Sequence, residues 1–182
     1  DLGFVDTQPM VEIAERVKAR GVLLHVDATQ AVGKAEVDLS RVPADLLSLS
    51  AHKFNGPKGV GCLFVREGVD CAPRSLGGPQ ERRFRGGTEN VAGIVGLGVA
   101  ADVALRGAGE RIVKYSALRD RLWDALTAKV PKLRQNGDVD SVLCNTLSVE
   151  FCGVAGDVLV QSLDLEGVAA SAGAACHSGS IH

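Results

Sequence analysis

Three apolar runs constrain what this chain can fold into more than any other feature: VLLHV at 22–26, ADLLSLS at 44–50 and VGCLFV at 60–65. Each has the length of a strand and is close to continuously apolar, the pattern of strands covered on both faces. Segments of helical or crossover length separate them, so the expectation is an α/β unit built on a largely parallel sheet. Ahead of the first run, PMVEIAERVKAR at 9–20 sets Met10, Val11, Ile13, Ala14 and Val17 along the stripe of an amphipathic helix. Pro9 suits the first turn of that helix and Gly21 its stop.

From Val91 the texture changes. VAGIVGLGVAADVAL reads as a glycine-tolerant helix that packs closely, and RIVKYSALRDRLWDALTAKV carries Ile112, Leu118, Leu122, Ala125 and Leu126 at helical spacing until Pro131 and NGD close it. LCNTLSVEF at 143–151 alternates like a half-exposed strand, GDVLVQSLDLEG at 156–167 reads as a helix with Asp157 at its start, and VAAS reads as a short strand. The expected organisation is therefore residues 1–100 as part of a large α/β domain, with 101–182 supplying linking helices and part of a small α+β domain.

At 182 residues, 46% hydrophobic and 23% charged, the composition is that of an ordinary globular protein. A formal net charge of -2 leaves no basic footprint for nucleic acid and no polybasic segment for an anionic membrane. No apolar run approaches the roughly 20 residues of a spanning helix, so a soluble, intracellular and most simply cytoplasmic protein is expected, with an organelle left open. The 5 cysteines are odd in number and form no C-x-x-C pair, which argues against both a disulfide framework and a zinc site. The abrupt start at DLGFVDTQP and the stop at SGSIH give the expectation of a fragment of a longer protein.

Three polar clusters fall at strand ends or at a helix start, where open α/β sheets collect ligands. They are HVDATQ, SLSAHK and RGGTEN. Asp27 follows the first strand directly, beside the loop carrying Thr29 and Gln30. Lys53 follows the second, far enough along the chain for a strand, a crossover and a neighbouring strand, so the two would face one cavity. An amine there with a carboxylate, a hydroxyl and an imidazole is equipment for holding pyridoxal phosphate: the lysine anchors the aldehyde covalently, and the carboxylate keeps the pyridine nitrogen protonated. Ser50, His52 and the GGTEN stretch with Thr88 supply the donors a phosphate needs. Each cluster alone has a plainer reading, as a turn-forming aspartate, a solvated lysine or an N-cap threonine. GPKGVG lacks the residue order of a nucleotide phosphate loop. In ASAGAACHSGS, Cys176 lies among small residues that cannot build a core, whereas Cys62 and Cys152 sit in or beside apolar strands and read as inert.

Taken in order, HVDATQAVGK, SLSAHKFNGPKGVG, GGPQERRFRGGTENVAGIVGLG, NTLSVEF and SAGAACHSG resemble the motifs of the cysteine desulfurase and selenocysteine lyase family, over nearly the whole chain. The resemblance implies the pyridoxal-phosphate-dependent transferase fold of the aspartate aminotransferase type, here part of its large parallel-sheet domain and part of its small C-terminal domain. It implies Lys53 as the covalent anchor and Asp27 as partner of the pyridine nitrogen. Gln30 would contact the phenolic oxygen, and Ser50 and His52 the phosphate. Thr88 would reach the phosphate of a partner subunit in a homodimer, and Cys176 would be the mobile-loop thiol that takes sulfur from L-cysteine, leaving L-alanine. An acceptor protein such as an iron–sulfur scaffold would then collect the sulfur. No metal is implied. GAACHS leans towards selenocysteine lyases acting on L-selenocysteine, the enzyme alternative to a desulfurase.

The chain also departs from the family pattern. Leu2 stands roughly where an asparagine contacting the cofactor is expected, and neither a ring-stacking residue nor a substrate-carboxylate arginine is identifiable. The non-enzyme alternative is accordingly a truncated, inactive chain that only binds a partner.

Overall fold

The computed structural model describes residues 7–173. Helix α1 spans Met10–Lys18, ends against Gly21 in the left-handed region at φ +62°, and buries Ala14. Strands β1 (His25–Asp27), β2 (Leu46–Ser50) and β3 (Gly61–Val65) form one sheet in the order β1-β2-β3. A 3₁₀ turn, Ala51–Phe54, follows β2 directly. Helices α2 (Val91–Arg106) and α3 (Ala108–Thr127) come next, then β4 (Leu133–Gln135) paired antiparallel with β5 (Val149–Phe151), and α4 (Gly156–Leu165).

Two compact units divide the chain. Pro9–Ile112 make one, and most of α3 belongs to the other with β4, β5 and α4. In the first unit β1 and β2 are parallel, as the sequence suggested, but β2 and β3 are antiparallel, so the sheet is mixed. Loop length explains the difference. A parallel return needs a crossover of about a dozen residues or more, and only the 3₁₀ turn and a tight NGPKG bend join β2 to β3.

Other elements also differ from expectation. The first strand is confined to His25–Asp27, with Val22 and Leu23 exposed, because β2 begins only at Leu46 and Pro43 just upstream has no N–H to offer. Asp45 closes the entry, its carboxylate accepting from the Leu24 amide at 2.8 Å. In the second unit the 143–151 run pairs only from Val149, against β4, a strand the sequence pattern did not reveal. VAAS forms no strand.

The core of the first unit explains how the region after β2 is held. Ala51, Phe54 and Ala104 are buried together, with Leu49, Val60, Leu97, Ala100 and Ala101 packed around them. A 3₁₀ turn repeats every three residues, so Ala51 and Phe54 share its inner side and His52 and Lys53 are left on the outer one. Asn55 ends the turn in the left-handed conformation at φ 65°, which asparagine tolerates better than most residues. Gly56 follows because a Cβ there would stand 2.9 Å from Ala51 Cβ and 3.1 Å from Ala100 Cβ. A Cβ on Gly96 of α2 would likewise meet Pro57 at 2.5 Å, so the turn and the helix approach more closely than larger residues permit.

Candidate functional site

Strand alternation decides which side chains of β1 and β2 share a face. The register pairs His25 with Leu46, Val26 with Leu47 and Asp27 with Ser48. One face therefore carries His25, Asp27, Ser48 and Ser50, while Val26, Leu47 and Leu49 turn to the other, where Leu49 joins the core under α2. The polar face ends at the carboxyl ends of both strands, and Ser50 runs directly into the turn bearing His52 and Lys53.

Asp27 is exposed, and its Oδ1 accepts from the Thr29 amide at 2.9 Å. The Thr29 hydroxyl and then its amide hold the Asp27 carboxyl below the usual carboxylate range. Gln30 is exposed on the following turn, its Oε1 accepting from Lys34 Nζ at 3.1 Å. Ser50 Oγ and His52 Nδ1 lie 3.4 Å apart, and Lys53 is half-buried beside them. The sheet thus brings Asp27, Ser50, His52 and Lys53 to neighbouring strand ends.

Thr88 stands apart from this group in its bonding: among the described residues no hydrogen bond joins it to the other candidates. It is exposed, and Asn90 rather than Thr88 caps α2, accepting from the Gly93 amide at 3.0 Å. Asparagine immediately before an apolar helix is the signal that identifies this cap. Cys176, His177 and Leu2 lie outside the described residues. Cys62 and Cys152, read from sequence as inert strand residues, are both exposed, and it is Cys144 that is buried.

Sequence reasoning passed over His25 and Ser48, whose Nε2 and Oγ are 3.1 Å apart on the polar face. The alternation in SLSLS was the available signal. A cleft of about 280 Å³ lies elsewhere in the same unit, lined by Ser75, Gly77, Gly78, Arg83 and Arg85 among others, and includes none of the candidates. Among the described residues no three metal-ligating side chains cluster, and no single helix is long and apolar enough to cross a membrane.

The model of the class-V aminotransferase family matches residues 2–181. The chain belongs to the class-V aminotransferase family. Within it, the chain is 48% identical over 173 residues to a cysteine desulfurase of Trichormus azollae, covering 95% of this chain and 43% of that protein. It is 43% identical over 176 residues to the cysteine desulfurase IscS of Clostridium botulinum, covering 96% of this chain and 44% of the relative. A solved NifS-like protein superposes with a TM-score of 0.86 at 38% identity, covering 92% of this chain and 46% of that one. DndA from Streptomyces lividans superposes at 0.76 with 35% identity, covering 99% and 49%. The fold is thus the α/β fold of these class-V proteins, and the chain spans less than half the length of the curated relatives it matches.

Proposed function

We propose that this chain carries the cofactor-binding and sulfur-accepting residues of a pyridoxal-phosphate-dependent cysteine desulfurase. One observation carries the reading: parallel pairing of β1 with β2 sets the end bearing Asp27 beside the end that continues into Ser50, His52 and Lys53. The donor set fits the cofactor. Lys53, a half-buried residue, offers an amine for a covalent anchor, a hydroxyl and an imidazole 3.4 Å apart meet a phosphate, and a carboxylate whose ionised form Thr29 favours suits a protonated ring nitrogen.

Bound pyridoxal phosphate supplies an electron sink for charge developing at the substrate Cα. Lys53 would be the residue that anchors the cofactor, and its amine would serve as the base for the proton on the substrate Cα. Asp27 would keep the ring nitrogen protonated, Gln30 would bond the phenolic oxygen, and Ser50 and His52 would hold the phosphate. Thr88 would contribute from the second subunit of a homodimer. The Cys176 thiolate would attack the sulfur of L-cysteine as the Cβ–S bond breaks; the electron pair left on Cβ takes a proton and Cα regains one, giving L-alanine and a persulfide on Cys176 whose outer sulfur passes to an acceptor protein.

L-Cysteine is preferred to L-selenocysteine because the relatives at 42–48% identity are cysteine desulfurases, and because a solved relative at 30% identity, SspA, is in complex with cysteine. A cytoplasmic setting is part of the same proposal. Borohydride reduction in the presence of pyridoxal phosphate tests the anchor. A stable adduct on the wild-type chain that Lys53→Ala abolishes is the expected result, and an adduct that survives the substitution removes Lys53 from the role. A spectrum of the mixture that is merely the sum of chain and free cofactor would instead favour a chain that only binds a partner.

A further inference from the structure

The polar sheet face contains a side-chain pair to which the cofactor reading gives no task. His25 Nε2 lies 3.1 Å from Ser48 Oγ, and Ser48 is the residue directly opposite Asp27 in the β1–β2 ladder. His25 is two residues before Asp27 and so projects from the same face. On its other side Ser48 is paired with Leu63 of β3, which has no polar side-chain group to offer, so the imidazole is the polar partner of this hydroxyl across the sheet.

We infer that His25 is a positioning residue for Asp27: by bonding Ser48 across the seam between β1 and β2, it fixes the strand end that presents the carboxylate. The inference rests on the pyridoxal-phosphate reading of the site. Its physical basis is the shortness of β1. A strand of three residues has few ladder bonds with which to resist fraying, and Asp27 is its last residue. The backbone is tied there by the Ala28 amide to the Ser48 carbonyl at 2.9 Å, and the carboxylate is tied from the loop side by the Thr29 amide at 2.9 Å. The His25–Ser48 bond supplies the constraint from the strand side, on the face the carboxylate itself uses. Imidazole and hydroxyl thus add a side-chain tie between β1 and β2, beside the backbone ladder and on the face that presents the carboxylate. The same imidazole is also among the influences lowering the Asp27 carboxyl, behind both Thr29 contacts.

A double-substitution cycle tests this in the full chain, using His25→Ala, Ser48→Ala, the double variant and His25→Gln. Pyridoxal phosphate affinity is read by absorbance titration, and the Asp27 carboxyl resonance is followed by NMR without cofactor. Each alanine variant should weaken cofactor binding by roughly three- to tenfold. The double variant should be no worse than either single one, because both remove the same bond. His25→Gln, whose amide can still bond the Ser48 hydroxyl, should return to within about twofold of wild type, which a role in packing alone would not produce. Additive losses, or no loss in either single variant, overturn the inference. Should the wild-type chain take up no pyridoxal phosphate, the cofactor reading fails, and the resonance still judges the positioning. A signal shifted in His25→Ala and restored in His25→Gln sustains it, and one unmoved in both sinks it. If His25→Ala does not fold, Ser48→Ala and His25→Gln give the decision alone, opposite behaviour being required of the two.

Discussion

Asp27 is the residue whose chemistry can be checked without any ligand. Its carboxyl is depressed by the Thr29 hydroxyl and amide, so the ionised form is favoured in the folded chain. A depressed folded value means that its stabilising contribution is complete above the unfolded carboxyl value of about 4 and fades as pH falls through the lower folded one. Thr29→Ala should move the Asp27 titration up towards the ordinary range in a carboxyl-detected NMR experiment, and an unchanged titration would count against Thr29 as the cause. Cys176 belongs to the same scale. With pyridoxal phosphate and L-cysteine supplied, Cys176→Ser should lose persulfide labelling while binding the cofactor as before; labelling that persists assigns the chemistry to another thiol.

Between residue and molecule, the decisive element is the β2 strand with its 3₁₀ turn against α2. The turn buries Ala51 and Phe54 and thereby directs His52 and Lys53 outward, so the proposed site is held by packing beneath it. Phe54 is only 6% exposed, and Phe54→Ala should cost about 3–5 kcal/mol in a denaturant melt. Gly56→Ala adds a methyl where Ala51 and Ala100 already close the space, and should cost about 1–3 kcal/mol. A melt unchanged by Phe54→Ala would mean that the turn is not anchored through this side chain. At the far end of the same assembly, Arg111 donates to the carbonyls of Ala104 at 2.9 Å and Gly33 at 3.4 Å, tying the end of α2 to the loop after β1.

For the whole molecule, α2 is apolar on more than its core side. Val91, Val95, Val99 and Val103 recur every four residues along it and are 59–66% exposed, while Leu97, Ala100, Ala101 and Ala104 face the core. An apolar helix of this kind is normally covered on both sides, and the chain's relatives are more than twice the length it spans. The purified chain should therefore bind a hydrophobic dye such as ANS, and the pair Val95→Glu with Val99→Lys should reduce that fluorescence severalfold without lowering the melting point. Fluorescence that does not change would place the dye elsewhere.

The sequence by itself determined the local features. The helices α1 to α4 follow from spacing and stop signals, and the order of the polar clusters containing Asp27, Ser50, His52 and Lys53 points to their chemistry because each cluster is contiguous in the chain. Only the tertiary structure decided which strands are neighbours and which way they run. The antiparallel β3, the pairing of Leu133–Gln135 with Val149–Phe151, and the meeting of His25 with Ser48 were misread or missed for that reason. A strand's partner, unlike a helix's hydrogen bonds, lies at no fixed distance along the chain, so the partner is settled by packing and loop closure rather than by the residues of the strand.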